Sequence, residues 1–171
     1  MLYILTIKAR DLILRDLGYF SFEDFLDIEK RKAFYISRLK PNIAVYIESN
    51  DIEYYKNGTQ KKSSRFKRIY ISDIMKQMSY GEHYELKDVY IGQGKKLKTR
   101  LILYKLTNEQ LEKRSEKSKK NAKKKGIEKS DNTIELLGIS MYITNIEQEI
   151  LSAKQVYELY ALRWQIMLIS A

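Results

Sequence analysis

The sequence predicts an α/β fold in which a β-rich segment with a basic helix interrupts a mixed core. Three observations predict it. A strand, a helix and a second strand fit within the first forty residues; four strand-like runs separated by turn residues fill 42–107; and a lysine-rich helix, a last strand and a last helix follow. With 171 residues, 44% of them hydrophobic, the chain can bury the core of one domain or of two small ones.

The first unit is a strand–helix–strand. A short apolar run predicts a strand at Leu12–Asp16. Ser21 begins a helix that runs to about Lys32, because Ser-Phe-Glu-Asp resembles a capping box with Asp24 in place of the usual Glu. The second strand is predicted at Ala33–Leu39. A unit of this length is typical of a crossover that joins two parallel strands.

The β-rich segment contains four runs of aliphatic and tyrosine residues, for which we expect antiparallel pairing. The strands are predicted at Val45–Ile47, Arg68–Ser72, Glu85–Ile91 and Arg100–Leu106. Turn signals separate them at Asn57-Gly58, at Tyr80-Gly81 and at Gly92-Gln-Gly94. A short helix is predicted at Asp73–Ser79.

Three elements complete the chain. A highly basic helix is predicted at Asn108–Gly126, followed by a strand at Leu136–Ile143. Ser152 caps a last helix that runs to about Ile169, because apolar residues recur along it at helical spacing.

The balance of charge favours a polyanionic partner. Lys and Arg total 32 against 22 acidic residues, which gives a net charge of +10. The densest cluster lies between Lys113 and Lys129, and the residues in it that we expect to contact DNA phosphates are Lys119, Lys120, Lys123, Lys124 and Lys125. Smaller basic clusters lie at 61–68 and 95–100. The alternative is a solvated helix with ordinary surface lysines.

Composition also excludes several classes of site. The chain has no Cys, which excludes disulfides, thiol catalysis and Cys-ligated metals, and a single His excludes His-rich metal sites. The apolar stretch Leu2–Ile7, which already contains a Thr, is too short to span a bilayer. We therefore expect a cytoplasmic protein without a membrane partner.

Two motifs resemble those of a known family. Tyr160, Arg163 and Met167 are spaced +3 and +4, which places them on one face of the last helix. Their spacing resembles the signature of the DDE transposases of insertion-sequence family four, which is Tyr, two residues, Arg, three residues, Glu, six residues, Lys. The segment Leu12–Phe20 is similar to that family's segment around its second catalytic Asp. The resemblance covers essentially the whole chain.

The resemblance implies a fold and a reaction. The fold is a partial RNase H-like core, formed by 1–40 and 144–171, into which a β-rich DNA-contacting domain, 41–143, is inserted. The reaction is the cutting and joining of DNA ends with two Mg²⁺ ions held by three carboxylates. Asp16 would be the second carboxylate and a metal ligand, while Tyr160 and Arg163 would grip phosphates of the transposon end.

The chain departs from the family's pattern at three positions. The first Asp belongs to a strand expected before Met1, Met167 occupies the position of the catalytic Glu, and the signature Lys would fall after Ala171. A single carboxylate holds Mg²⁺ weakly. We therefore expect a truncated transposase fragment that is catalytically inactive alone, binds DNA, and associates with itself or with a full-length transposase.

Two other functions remain open at the level of sequence. One is a non-enzymatic DNA-binding or transposase-interacting protein that inhibits transposition by occupying the ends. The other is a basic RNA-associated domain, which the Tyr–Arg helix disfavours because the motif would then be a coincidence.

Overall fold

The computed structural model describes residues 7–16, 21–94, 96–126 and 136–169, with the backbone alone for 125 and 164–169. The strands are β1 Leu12–Arg15, β2 Phe34–Leu39, β3 Val45–Glu48, β4 Phe66–Ile69, β5 His83–Ile91, β6 Leu97–Lys105 and β7 Ile139–Thr144. The helices are α1 Phe22–Lys30, α2 Ile71–Gln77, α3 Asn108–Lys125 and α4 Ala153–Ile169. Short 3-10 helices occur at Lys62–Ser64 and Leu136–Gly138.

All the strands in the described ranges join one sheet in the order β1-β2-β7-β6-β5-β3-β4. β1 and β2 are parallel, as the crossover length predicts, and every other pairing is antiparallel. The predicted mixed α/β fold is therefore confirmed, as is antiparallel pairing in the β-rich segment.

The segment 41–143 does not form a sheet of its own, because its strands continue the sheet that β1 and β2 begin. The predicted boundary between 143 and 144 falls inside β7, which pairs with both β2 and β6. The division into a core and an inserted domain remains a prediction.

The predicted strand Arg68–Ser72 is wrong at its end. β4 ends at Ile69, and α2 begins at Ile71. Ile71, Met75 and Met78 are all buried, and their +4 and +3 spacing is that of one helix face. The residues after Ile69 continue a run with high β propensity, which is why a longer strand was predicted. They form a helix instead because burial of the face with Ile71, Met75 and Met78 outweighs that propensity.

Each face of the sheet buries its own apolar cluster. On one face α1 inserts Phe25 and Ile28, both fully buried, together with residues from α2. On the other face α4 packs Val156 and Tyr160 against Ile36, Ile102 and other strand residues. The second face is the one that carries the candidate site.

Side chains at the end of β7 fix the loop that leads into α4. Asn145 donates from Nδ2 to the carbonyl of Ala33 and accepts at Oδ1 from the amide of Tyr35, each at 2.9 Å. The Thr144 hydroxyl donates to the carbonyl of Tyr35 at 2.6 Å. These bonds extend the attachment of β7 to β2 beyond the last ladder pair.

Arg100 ties the same loop to the sheet. Its guanidinium donates from Nε and Nη2 to the two carboxylate oxygens of Glu85, at 2.8 and 2.9 Å. Its Nη1 donates to the carbonyls of Ile146 and Leu151, at 3.0 and 2.7 Å. The side chains of Arg100 and Glu85 are only 7% and 13% exposed, so this is a largely buried ion pair whose guanidinium donates four hydrogen bonds.

His83, at the start of β5, lies under α4. Its ring centroid is 4.7 Å from that of Tyr104 and 5.6 Å from that of Tyr157. Burial lowers the pKa of His83; the charge of Glu158 opposes this effect and that of Lys154 adds to it. The folded protein therefore favours the neutral imidazole.

This lowered pKa predicts a loss of stability in mild acid. As the pH falls below about 6.5, the unfolded chain takes up the His83 proton before the folded chain does, so protonation favours unfolding. We expect the melting temperature to fall more in the native protein than in a His83→Asn variant between pH values of about 7.5 and 5.5. Equal falls in thermal melts followed by circular dichroism would contradict this.

Candidate functional site

Asp16, Tyr160 and Arg163 meet beside the sheet. Asp16 directly follows β1, and the other two residues lie on α4. The Tyr160 hydroxyl donates to Oδ1 of Asp16 at 3.2 Å, and Nη2 of Arg163 donates to Oδ2 at 2.9 Å. The Arg163 guanidinium also lies 5.4 Å from the Tyr160 ring centroid. The two hydrogen bonds thus join Asp16 to residues that lie 144 and 147 positions later in the sequence.

Strand alternation and a helix–strand ion pair place Asp16. Leu14 packs into the cluster under α4, and Asp16, two positions later, therefore points to the same face. Arg15 points to the other face and forms an ion pair with Asp24 of α1. That pair anchors the end of β1, and with it the backbone that carries Asp16.

The N-terminal cap of α4 and its buried face fix the positions of Tyr160 and Arg163. The Ser152 hydroxyl accepts from the amide of Gln155 at 3.3 Å, which caps the helix as the sequence predicts. Val156 and Tyr160, four residues apart, face the sheet and are 0% and 5% exposed. Arg163 follows at +3 on the same side.

The Tyr160 hydroxyl keeps its proton at neutral pH. Burial raises the pKa of Tyr160 to about 12; the Arg163 charge opposes the rise, and the charge and hydrogen bond of Asp16 add to it. At neutral pH the phenol therefore donates its proton in a hydrogen bond to Asp16 and does not act as a base.

A cleft of about 250 Å³ lies beside this contact, between α3, α4 and the sheet. Its polar and aromatic walls are Arg38, Gln110, Arg114, Ser140, Tyr142, Tyr157 and Tyr160. Tyr160 lines the cleft and also contacts Asp16, so the cleft and the Asp16 contact adjoin at this side chain.

The cleft contains two guanidinium groups. Arg114 donates to neutral oxygens: the carbonyls of Leu137 and Ile139, at 3.1 and 2.8 Å, and the Ser140 hydroxyl, at 2.8 Å. Burial, followed by the charge of Arg38, lowers the pKa of Arg114. Within the described part of the chain neither arginine forms an ion pair with a carboxylate. Such a cleft favours an anion.

Neither Arg38 nor Arg114 was predicted from the sequence as a site residue. A signal for Arg38 existed, because it is the one charged residue in the largely apolar strand β2. Arg114 was counted with the basic cluster, yet it lies three residues after the half-buried Leu111 and four before the buried Ser118. This spacing marks the inner face of α3.

The predicted DNA-contacting lysines point elsewhere. Lys119, Lys120, Lys123 and Lys124 are exposed on the solvent side of α3 and do not line the cleft. The Lys125 side chain lies outside the described part of the structure. Met167 belongs to α4, but its side chain also lies outside what is described, as do residues 17–20 of the first motif.

The described residues do not fit a Mg²⁺ ion. They contain no group of three or more His, Asp or Glu side chains that could hold a metal. The two oxygens of Asp16 accept hydrogen bonds from Tyr160 and Arg163, and the second donor is a cation. Mg²⁺ requires six oxygen ligands in octahedral geometry, so one carboxylate paired with a guanidinium is a poor donor set.

A comparison with known proteins gives the family. The sequence profile described as "Transposase DDE domain" matches residues 3–166. The chain belongs to this family. The predicted resemblance to DDE transposases is therefore confirmed. DDE transposases in general use a divalent metal ion such as Mg²⁺.

Several curated transposases are similar to the chain. It is 43% identical over 164 residues to the transposase for insertion sequence element IS231B of Bacillus thuringiensis subsp. berliner, covering 96% of this chain and 34% of that protein. It is 40% identical over 171 residues to the transposase for insertion sequence element IS1151 of Clostridium perfringens, covering 98% of this chain and 36% of that protein. The chain thus spans about a third of the length of these relatives.

No solved structure is significantly similar to the chain. Among the helices in the described residues, none is long and apolar enough to cross a membrane.

Proposed function

We propose that this part of a DDE transposase binds the phosphodiester backbone of a transposon end. The observation that carries the proposal is the cleft with Arg38 and Arg114 beside the Asp16–Tyr160–Arg163 contact. Two guanidinium groups without a carboxylate partner in the described residues favour a phosphate, which can accept from both. The net charge of +10 attracts the same partner over a longer range.

In this proposal each residue has a separate role. Arg38 binds a phosphate from the sheet side of the cleft, and Arg114, held by Ser140 and two carbonyls, supports it with fixed positive charge. Asp16 is the family's second carboxylate; its contacts with Tyr160 and Arg163 fix its orientation. Tyr160 forms the wall between the cleft and this carboxylate.

The test is a DNA-binding titration of an Arg38→Gln variant. Removing one phosphate-binding guanidinium should weaken binding to a duplex of about 30 base pairs roughly tenfold. The slope of log affinity against log salt should become less negative by about 0.9. Fluorescence anisotropy at several salt concentrations measures both quantities.

Arg31→Gln is the matched control. Arg31 is the C-cap residue of α1, pairs with Asp27 and lies outside the cleft. Its substitution removes the same single positive charge as Arg38→Gln. If both variants weaken duplex binding equally, the proposed phosphate site is wrong.

We further propose that the chain binds ends without cutting them. The described residues supply Asp16 but no carboxylate cluster for metal-dependent cleavage. Such a protein would inhibit transposition by occupying ends that an active transposase needs. Mg²⁺-dependent cleavage of duplex DNA by the purified chain would overturn this part of the proposal.

A further inference from the structure

A second surface, far from the Asp16 contact along the sheet, combines aromatic and basic side chains. We name it the aromatic–basic face; it consists of Tyr46, Phe66, Arg68, Tyr90, Lys96 and Lys98. The three aromatic rings are half-buried and come from the three adjacent strands β3, β4 and β5. None of these residues lines the cleft of the proposed phosphate site.

The strand register places this surface on the same side of the sheet as α4. Ile102 packs in the cluster under α4, and Lys98 lies four residues earlier on β6, hence on the same face. Lys98 pairs with Tyr90, Tyr90 pairs with Tyr46, and Tyr46 pairs with Arg68. Directly paired residues share a face, so the aromatic–basic face continues the face that carries the candidate site.

The rings and the cations lie in direct contact. The centroids of Phe66 and Tyr90 are 4.8 Å apart. Nζ of Lys96 lies 4.5 Å from the Tyr46 ring and 5.2 Å from the Phe66 ring, and the Arg65 guanidinium lies 5.3 Å from Phe66. The rings of Tyr46 and Phe66 therefore each lie within reach of a positive charge.

The surface also contains two carboxylates. Glu48 accepts a hydrogen bond from the Tyr90 hydroxyl at 2.8 Å and lies 3.8 Å from Arg65. Asp88 pairs with Lys98 at 2.9 Å. All four of these charged side chains are more than half exposed, so water screens both pairs. The cations, including Arg68 and Lys96, still outnumber the anions.

We infer that the aromatic–basic face binds unpaired DNA, with bases stacked on Tyr46, Phe66 and Tyr90 and phosphates bound by the surrounding cations. This inference specifies which form of DNA the surface binds, and it rests on the proposed function because that function is DNA binding. Phe66 carries the argument, because its ring has no hydrogen-bonding group and contributes nothing to binding a phosphate. Bases within a duplex hide their faces by stacking on each other, whereas bases of a single strand expose them.

The test compares a Tyr46→Leu variant on two probes. One is a fluorescein-labelled oligothymidylate of about 20 nucleotides, on which we expect roughly tenfold weaker binding. The other is the duplex of about 30 base pairs, on which binding should change less than about twofold. Leucine keeps the apolar bulk of the side chain, and circular dichroism checks the fold. Phe66→Leu is the second variant and should give the same pattern.

Tyr54→Leu is the matched control, because Tyr54 is 60% exposed and lies outside the aromatic–basic face. If Tyr46→Leu and Phe66→Leu bind oligothymidylate as Tyr54→Leu does, the inference is wrong. Tighter, Tyr46-dependent binding of oligouridylate would also overturn it, since the partner would then be RNA. If the native chain binds the duplex and Arg38→Gln weakens that binding, the proposed function survives either result. If the native chain binds neither probe, both fail.

Discussion

Replacing Arg100 with alanine is expected to lower the free energy of unfolding by about 3–5 kcal/mol. The substitution leaves the Glu85 carboxylate, whose side chain is 13% exposed, without its bidentate partner. It also removes the donor to the carbonyls of Ile146 and Leu151. The loss arises mainly from the uncompensated charge left behind, since an intact buried pair contributes much less than breaking it costs.

Urea denaturation measures this loss against a neighbouring control. Lys98 lies on β6, as Arg100 does, and forms an exposed ion pair with Asp88 of β5. Lys98→Ala removes this pair and should change the free energy of unfolding by less than about 1 kcal/mol. A double variant, Arg100→Leu with Glu85→Leu, should recover most of the loss because neither charge remains. A change below about 1 kcal/mol in Arg100→Ala would show that the pair does not secure the loop into α4.

Neutralising the exposed lysines of α3 is expected to weaken duplex binding about a hundredfold at low salt. The variant replaces four residues with glutamine: Lys119, Lys120, Lys123 and Lys124. If each contacts a phosphate, the slope of log affinity against log salt becomes less negative by up to about 3.6. Anisotropy titrations over a range of salt concentrations give both values.

The control separates a specific surface from net charge alone. It replaces four exposed lysines near α1 and β2 with glutamine: Lys8, Lys30, Lys32 and Lys40. Both variants lower the net charge equally, so equal losses would mean that α3 contributes only long-range attraction. That outcome would favour the interpretation of α3 as a solvated surface helix.

Local signals predicted most of the elements. The cap at Ser21, the parallel crossover and the cap at Ser152 all depend on residues close together in sequence, and the structure contains all three. α2 was misplaced because Ile71 and Ser72 have strand-like neighbours, while their burial depends on distant strands. Strand order was not predicted, since pairings such as Ile36 with Thr144 join residues more than a hundred positions apart.

The candidate site could likewise be predicted only in part from the sequence. The position of Tyr160 and Arg163 on one helix face could be predicted from their spacing in the sequence. Asp16 was predicted as a site residue from the second motif, Leu12–Phe20. Their hydrogen bonds to one another depend on how α4 lies across the sheet. The proximity of Arg38 to Arg114 could not be predicted at all, because nothing in either neighbourhood indicates that β2 and α3 face one cleft.

The 144-residue separation between Asp16 and Tyr160 also has a consequence for the order of folding. Loops of this length close late and at a high entropic cost, and contacts of large sequence separation slow folding. During synthesis β1 emerges before α4, so Asp16, which follows β1, cannot form this contact until α4 has left the ribosome. The Asp16 contact is therefore among the last to form, and undocking of α4 from the sheet would by itself break it.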